Sequence, residues 1–211
     1  MKLYDYLPSQ NGWKIRTLLR LTGRELPTEY ASIFEGEARS EFFLDRNPMG
    51  AIPVLELDDG RCIAESNAIL IFLAQGTPYL PSDAADQARV LQWLFFEQNY
   101  VEPVIGSLRY WALTGKILQR DPALVAQKHA AGERALDALD RHLARHAFLA
   151  DNRFSIADIA VYAYAHLAQD AHFSLASRPN FVAWMQRVAE QGELPPVVPY
   201  SVDPHSMGEL G

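Results

Sequence analysis

Cysteine is almost missing from this sequence. Cys62 is the single one among 211 residues, which excludes a disulfide within the chain, a CxxC redox pair and a cysteine-rich zinc site. A basic excess is missing too. Lysine and arginine number 19 against 26 acidic residues, a formal net charge of -7, so the cationic footprint that phosphate backbones and anionic lipid surfaces require is not there. The expected partners are therefore small molecules or proteins, with no nucleic acid and no membrane. No apolar run is long enough to span a bilayer, and the opening Met1-Lys2-Leu3-Tyr4-Asp5-Tyr6 is too short and polar for a secretory leader. These features set a cytoplasmic, reducing location as the expectation. Internal repeats and low-complexity tracts are also lacking, and no metal site is expected.

Apolar residues, by contrast, make up 49% of the chain, enough for one large core or two small ones. Lys2 to Tyr6 reads as a strand, and Pro8-Ser9-Gln10-Asn11-Gly12 supplies turn chemistry. A helix over Trp13–Leu21 follows, with Ile15, Leu18 and Leu19 at helical spacing and Gly23 as its C-cap. A strand at Pro27–Ser32 and a helix over Arg39–Arg46 lead to the turn Asn47-Pro48-Met49-Gly50. Next comes a strand from Ile52 to Leu57, joined through Asp58-Asp59-Gly60 to Arg61-Cys62-Ile63 as a hairpin. A helix over Glu65–Ala74 completes the order βαβαββα.

Gly76, Pro78 and Pro81 mark a linker, so residues 1–76 form one domain, 77–86 the linker and 87–192 a second, all-helical domain. In the second domain Ala88–Thr114 is helical, with Pro103 as a kink or a break. Leu124–His146 is amphipathic, and Ser155-Ile156-Ala157-Asp158 has the form of a helix-starting capping box with Phe154 as its staple. A last helix runs over Pro179–Glu190. Residues 193–211, rich in proline from Pro195, read as an extended tail.

Four segments in this order carry a resemblance over nearly the whole chain: Ser9-Gln10-Asn11-Gly12-Trp13-Lys14, Asn47-Pro48-Met49-Gly50-Ala51-Ile52-Pro53-Val54-Leu55, Glu65-Ser66-Asn67-Ala68-Ile69 and Ser155-Ile156-Ala157-Asp158. Together they resemble the glutathione transferase superfamily. The resemblance implies a thioredoxin-like α/β N-terminal domain followed by an all-α C-terminal helical bundle. It also implies glutathione as co-substrate, a small electrophile or a disulfide as the second partner, no metal, and a homodimer. The family places a cis-proline where Ile52-Pro53 stands, turning the Ile52 backbone toward the cysteinyl part of glutathione like an added strand. Glu65 and Ser66, at a helix N-terminus that favours anions, then hold the γ-glutamyl end, whereas the plain reading of the two residues is a helix cap.

Ser9 and Asn11 fall where the family stabilises the thiolate, Ser9 through its hydroxyl and Asn11 through its amide N–H. Their plain reading is again turn and cap chemistry. Tyr6 is expected to pack within its strand. The family's usual polar residue before the apolar-Pro pair is Ala51 here, which leaves the glycyl end of glutathione to Lys14 or Arg39, although both read as solvated surface cations. The electrophile is expected at Tyr100 and Arg109, and Arg109 reads equally as the ion partner of Glu97 or Glu102. Trp93, Phe95 and Phe96 serve either a dimer contact or the core, Cys62 reads as a small core residue, and Asp158 as structural. The implied activity is transfer of glutathione to an electrophile. The alternatives are glutathione-dependent disulfide or peroxide reduction, and a non-catalytic ligand- or protein-binding member of the fold.

Overall fold

The computed structural model describes residues 1–31, 36–150 and 152–200. The chain forms two compact units, one of residues 1–75 joined by the described residues from Glu193 onward, the other of Gly76–Gly192. In the first, strand β1 (Lys2–Asp5) leads to helix α1 (Gln10–Leu21) and strand β2 (Thr28–Tyr30). A single 3-10 turn (Glu37–Arg39) and the short helix α2 (Glu41–Leu44) precede strands β3 (Val54–Glu56) and β4 (Cys62–Ala64), and helix α3 (Ser66–Ala74) closes the set. Ser32, included in the expected second strand, lies outside the described residues, as does the tail beyond Tyr200.

The strands form one mixed sheet in the order β2-β1-β3-β4. β1 pairs parallel to β2 and antiparallel to β3, with Leu3 opposite Leu55 and Tyr4 opposite Val54, and β3 and β4 form the hairpin. The order βαβαββα and the parallel β1–β2 pair, which needs α1 as its crossover, give the thioredoxin-like architecture. Leu3, Ile15, Leu18, Leu55, Ile69 and Leu70 are completely buried, the apolar stripes of α1 and α3 thus being in the core with the central strands. Cys62 is only partly buried and packs against the cluster of Tyr4, Phe43 and Val54.

Residues 193–199 have no regular secondary structure and are tied to α1. Trp13 Nε1 donates to Pro195 O at 2.8 Å, and Arg20 Nη1 donates to Glu193 Oε1 at 3.2 Å. Tyr200 stacks on Tyr6, with ring centroids 6.5 Å apart. Proline-rich composition signals the lack of regular structure here but carries no sign of these anchors.

The second unit is helical. Helix α4 (Ala84–Phe96) begins inside the segment read as linker because Asp83 caps it, accepting from the N–H groups of Ala85 and Asp86. The chain then continues without a break through a ten-residue π-helical segment (Glu97–Gly106) into α5 (Ser107–Leu113). Pro103 sits inside that segment, so the missing N–H is accommodated by a widened turn instead of a break. The Pro103 carbonyl accepts from Ser107 Oγ at 2.9 Å and Lys128 Nζ at 2.6 Å. A 3-10 turn (Lys116–Gln119), α6 (Pro122–Leu143), α7 (Ile156–Ala165), a further 3-10 turn (Ala168–Ala171) and α8 (Pro179–Ala189) complete the unit.

The Ser155 capping box is formed in full. Asp158 is buried and accepts from Ser155 N, Ser155 Oγ, Leu149 N and Trp184 Nε1, joining the start of α7 to α8. Phe154 packs edge-on to Tyr79 and Phe148. Among the described residues no helix is long and apolar enough to cross a membrane, and no group of three metal-ligating side chains converges.

Candidate functional site

The loop between β1 and α1 is strapped from below. Asp5, the last residue of β1, is completely buried, accepts from Tyr6 N at 2.8 Å and is ion-paired with Arg16. Burial pushes its carboxyl above the usual range, against the opposing pull of the Arg16 guanidinium. Arg16 Nη2 also donates to Leu7 O at 2.8 Å and Ser9 O at 3.4 Å, so one guanidinium grips both the strand end and the loop. Gly12 is required where α1 crosses this pair: a Cβ there would stand 1.7 Å from Asp5 Oδ1.

Ser9 is the N-cap of α1, its backbone extended and its Oγ accepting from Asn11 N at 3.2 Å. That bond uses a lone pair and leaves the hydroxyl proton to be donated elsewhere. Two residues on, the Asn11 carboxamide oxygen accepts from Lys14 Nζ at 2.9 Å and from Ser66 Oγ at 3.1 Å. An ammonium can only donate, so the oxygen of the amide must face Lys14, and the Nδ2 end is turned the other way.

Lys14 itself is completely buried and also donates to Ser66 Oγ at 3.3 Å and Asn67 Oδ1 at 3.4 Å. This overturns the expectation of a solvated surface cation. In α1 Lys14 stands between buried Trp13 and Ile15, on the face that turns toward the start of α3. Arg39 is exposed, as expected.

The α3 end of the site is built from Glu65 and Ser66. Ser66, the first residue of the helix, is buried, whereas Glu65 before it is exposed and has φ 68° and ψ 116°, a region that side chains other than glycine rarely occupy. The conformation places Glu65 and Ser66 on opposite sides of the chain as it enters α3, one in solvent and one against Asn11. The Ile52–Pro53 peptide bond is cis, as the resemblance implies. Ile52 packs against the Tyr4 and Val54 cluster. The loop before it is held by buried Asn47, which donates to Ala51 O at 2.8 Å and accepts from Met49 N at 3.1 Å.

Asn11, Lys14 and Ser66 are thus brought into one hydrogen-bonded set, with Ser9 and Glu65 as chain neighbours of that set. Tyr6 is packed in the core of this unit. Burial, with the nearby Glu56 carboxylate, pushes the Cys62 thiol up.

In the helical unit the two residues expected to meet the electrophile have different surroundings. Tyr100 is 57% exposed, its ring 5.3 Å from that of Phe96. Arg109 is buried, and its Nε donates to Asp170 Oδ2 at 2.9 Å, an acidic partner 61 positions along that spacing on its own helix does not disclose. Nearby His166 is partly buried and drawn down to about 4, chiefly by desolvation, so it is neutral at pH 7. Trp93 belongs to the core, whereas Phe95 is 65% exposed.

Comparison with known proteins matches both units. Residues 1–75 match the family model of the glutathione S-transferase N-terminal domain, and residues 95–192 that of the C-terminal domain. A crystal structure of a glutathione S-transferase from Pseudomonas fluorescens is 41% identical and superposes with a TM-score of 0.89, covering 93% of this chain and 98% of that one. Glutathione S-transferase 3 of Zea mays is 31% identical over 200 residues, 90% of this chain and 89% of the relative. Elongation factor 1-gamma of Artemia salina is likewise 31% identical over 175 residues, 81% of this chain, which spans only 40% of that longer protein.

Proposed function

The chain belongs to the glutathione S-transferase superfamily, and from that premise we propose that it catalyses attack of the glutathione thiolate on a small electrophile. The observation that carries the reading is the bonded set of Asn11, Lys14 and Ser66, which joins the first turns of α1 and α3. Ser66, with the N–H groups at the start of α3, suits the γ-glutamyl carboxylate, and the exposed Glu65 carboxylate suits the ammonium beside it. The Ile52 backbone accepts the cysteinyl segment as an added strand. Ser9 Oγ–H and Asn11 Nδ2–H then donate to the sulfur and favour its ionised form. The thiol proton leaves to solvent, the sulfur lone pair forms the C–S bond, and the leaving group departs with its bonding pair. Tyr100 and Arg109 remain the candidates on the electrophile side, Tyr100 as a contact and Arg109 through the charge it shares with Asp170.

Calorimetric titration of glutathione, with thiolate absorbance followed against pH, tests this. Binding with a bound thiol that ionises below its free value of about 8.5 is expected, and replacing Ser9 and Asn11 together by alanine is expected to lower turnover at least about a hundredfold. Unchanged turnover would remove both catalytic assignments.

Two other readings have an observation each. The fixed Asn11 amide equally suits reduction of a disulfide or a peroxide, in which two glutathione thiols are oxidised to glutathione disulfide, and a substrate panel separates this from transfer. Ala51 favours a non-catalytic, ligand- or protein-binding member of the fold, and similarity to a protein named elongation factor 1-gamma, not a transferase, is in keeping with it; absence of turnover with any electrophile or disulfide is the mark. We place the protein in a reducing, cytoplasmic setting as a two-fold homodimer with exposed Phe95 in the contact, a state that light scattering on the wild type and on Phe95→Asp checks.

A further inference from the structure

Ser66 has one proton and two calls on it. In the structure its hydroxyl donates to Asn11 Oδ1 at 3.1 Å; a carboxylate bound at the start of α3 needs that same proton. If Ser66 turned to the carboxylate in a site with no other donor on that oxygen, the amide would lose its orientation at the moment the co-substrate arrived. Lys14 supplies the second donor, 2.9 Å from Asn11 Oδ1, and stands 3.3 Å from Ser66 Oγ as well. We propose that Lys14 is a positioning residue for glutathione: its buried ammonium holds the Asn11 amide while Ser66 redirects its proton to the γ-glutamyl carboxylate. This rests on the glutathione reading given above.

Three physical points support the assignment. An ammonium placed in a protein interior costs several kcal/mol unless hydrogen bonds and charge repay it, and Lys14 has no exposed surface. Three of its acceptors, Asn11 Oδ1, Ser66 Oγ and Asn67 Oδ1, are side-chain oxygens of the candidate site and its helix, so the ammonium orients the groups that would meet glutathione. Finally, those acceptors come from two helices, α1 and α3, so one charge serves the thiol end and the γ-glutamyl end together. The bound carboxylate brings the negative charge that the buried cation favours, and binding at one end thereby sets the donor at the other.

The test uses the full chain and the variants Lys14→Met and Lys14→Gln, with two readouts: the glutathione dissociation constant by calorimetry, and the ionisation of the bound thiol by ultraviolet absorbance against pH. Loss of a charged hydrogen bond is expected to weaken glutathione roughly tenfold to a hundredfold, and to move the bound thiol toward its free ionisation near about 8.5. Lys14→Gln, which keeps a donor without the charge, is expected to fall between wild type and Lys14→Met. A folded Lys14→Met variant with wild-type affinity and wild-type thiol ionisation overturns the proposal. If the wild type itself binds no glutathione, the failure is that of the glutathione reading, and it is distinguishable because Lys14 is intact. A readout that needs no variant is the nitrogen-15 ammonium resonance of Lys14 in the wild type: it is expected to shift on adding glutathione, and a resonance that stays in place at saturation overturns the proposal even where both variants misfold.

Discussion

Gly12→Ala is the substitution for which helix propensity and the structure disagree in sign. Within a helix, alanine is favoured over glycine by about 1 kcal/mol, so propensity alone makes the variant more stable. The structure makes it less stable. The new methyl carbon would stand 1.7 Å from Asp5 Oδ1, 2.6 Å from its Cγ and 2.8 Å from Oδ2. Restoring an ordinary contact moves the carboxylate by well over 1 Å, and that carboxylate is completely buried, paired with Arg16 and bonded to Tyr6 N. Breaking a buried ion pair costs about 3–5 kcal/mol, and subtracting the propensity gain leaves a net loss of roughly 2–4 kcal/mol. For a chain of this size that corresponds to a midpoint lowered by roughly 5–15 °C. Urea unfolding followed by the fluorescence of Trp13, itself buried in α1, provides the assay. The double variant Asp5→Ala/Gly12→Ala isolates the cause, because with the carboxylate gone the added methyl becomes neutral or favourable. A single variant as stable as the wild type, or a cycle with no coupling, refutes the reasoning.

Other perturbations follow from the helical unit. Asp158→Ala leaves four buried donors without their acceptor and is expected to lower stability by about 3–5 kcal/mol, with a shift in the emission of Trp184 as the local report. The pH dependence combines two opposed groups. Burial raises Asp158 to about 6, so its contribution is full below the ordinary carboxylate value and lost as pH rises through 6; burial lowers His166 to about 4, so its contribution is full above 6.5 and lost as pH falls through 4. Between pH 4 and 6 the two slopes cancel in large part, and His166→Asn is expected to unmask a stability that falls as pH rises there, on the order of 2 kcal/mol by denaturant titration. A pH profile unchanged by the substitution sinks this account. For the ion pair of Arg109 with Asp170, a double-mutant cycle in thermal unfolding is expected to give a coupling of about 1–3 kcal/mol, and a coupling near zero removes its structural role.

The order of strands and helices was legible because each element carries its own local signature: turn residues at Asn47–Gly50 and Asp58–Gly60, helical spacing at Ile15, Leu18 and Leu19, the capping box at Ser155. The cis bond at Ile52–Pro53 was legible only through the ordered set of motifs. What escaped reading depends on contacts between distant segments. Lys14 looks like any helical lysine until α3 is laid beside α1, and Asp170, which accepts from Arg109, lies in a turn that the helix of Arg109 does not reveal. Pro103 announced a disruption, but the sequence does not say whether the chain breaks there or continues through a widened turn, as it does. The unusual backbone of Glu65 has no sequence marker, since glycine, the usual sign of a positive φ, is not used there.

The bond from Trp13 to Pro195 has a consequence for how the protein is made. The helix that carries the site precedes the helical unit in the chain, yet the Pro195 carbonyl that accepts from its buried indole is synthesised after that unit. The N-terminal unit therefore acquires this contact only after the helical unit has been made, and residues 1–75 by themselves lack the carbonyl to which Trp13 donates. Any change that displaces Pro195 acts on α1, although the two lie 182 positions apart.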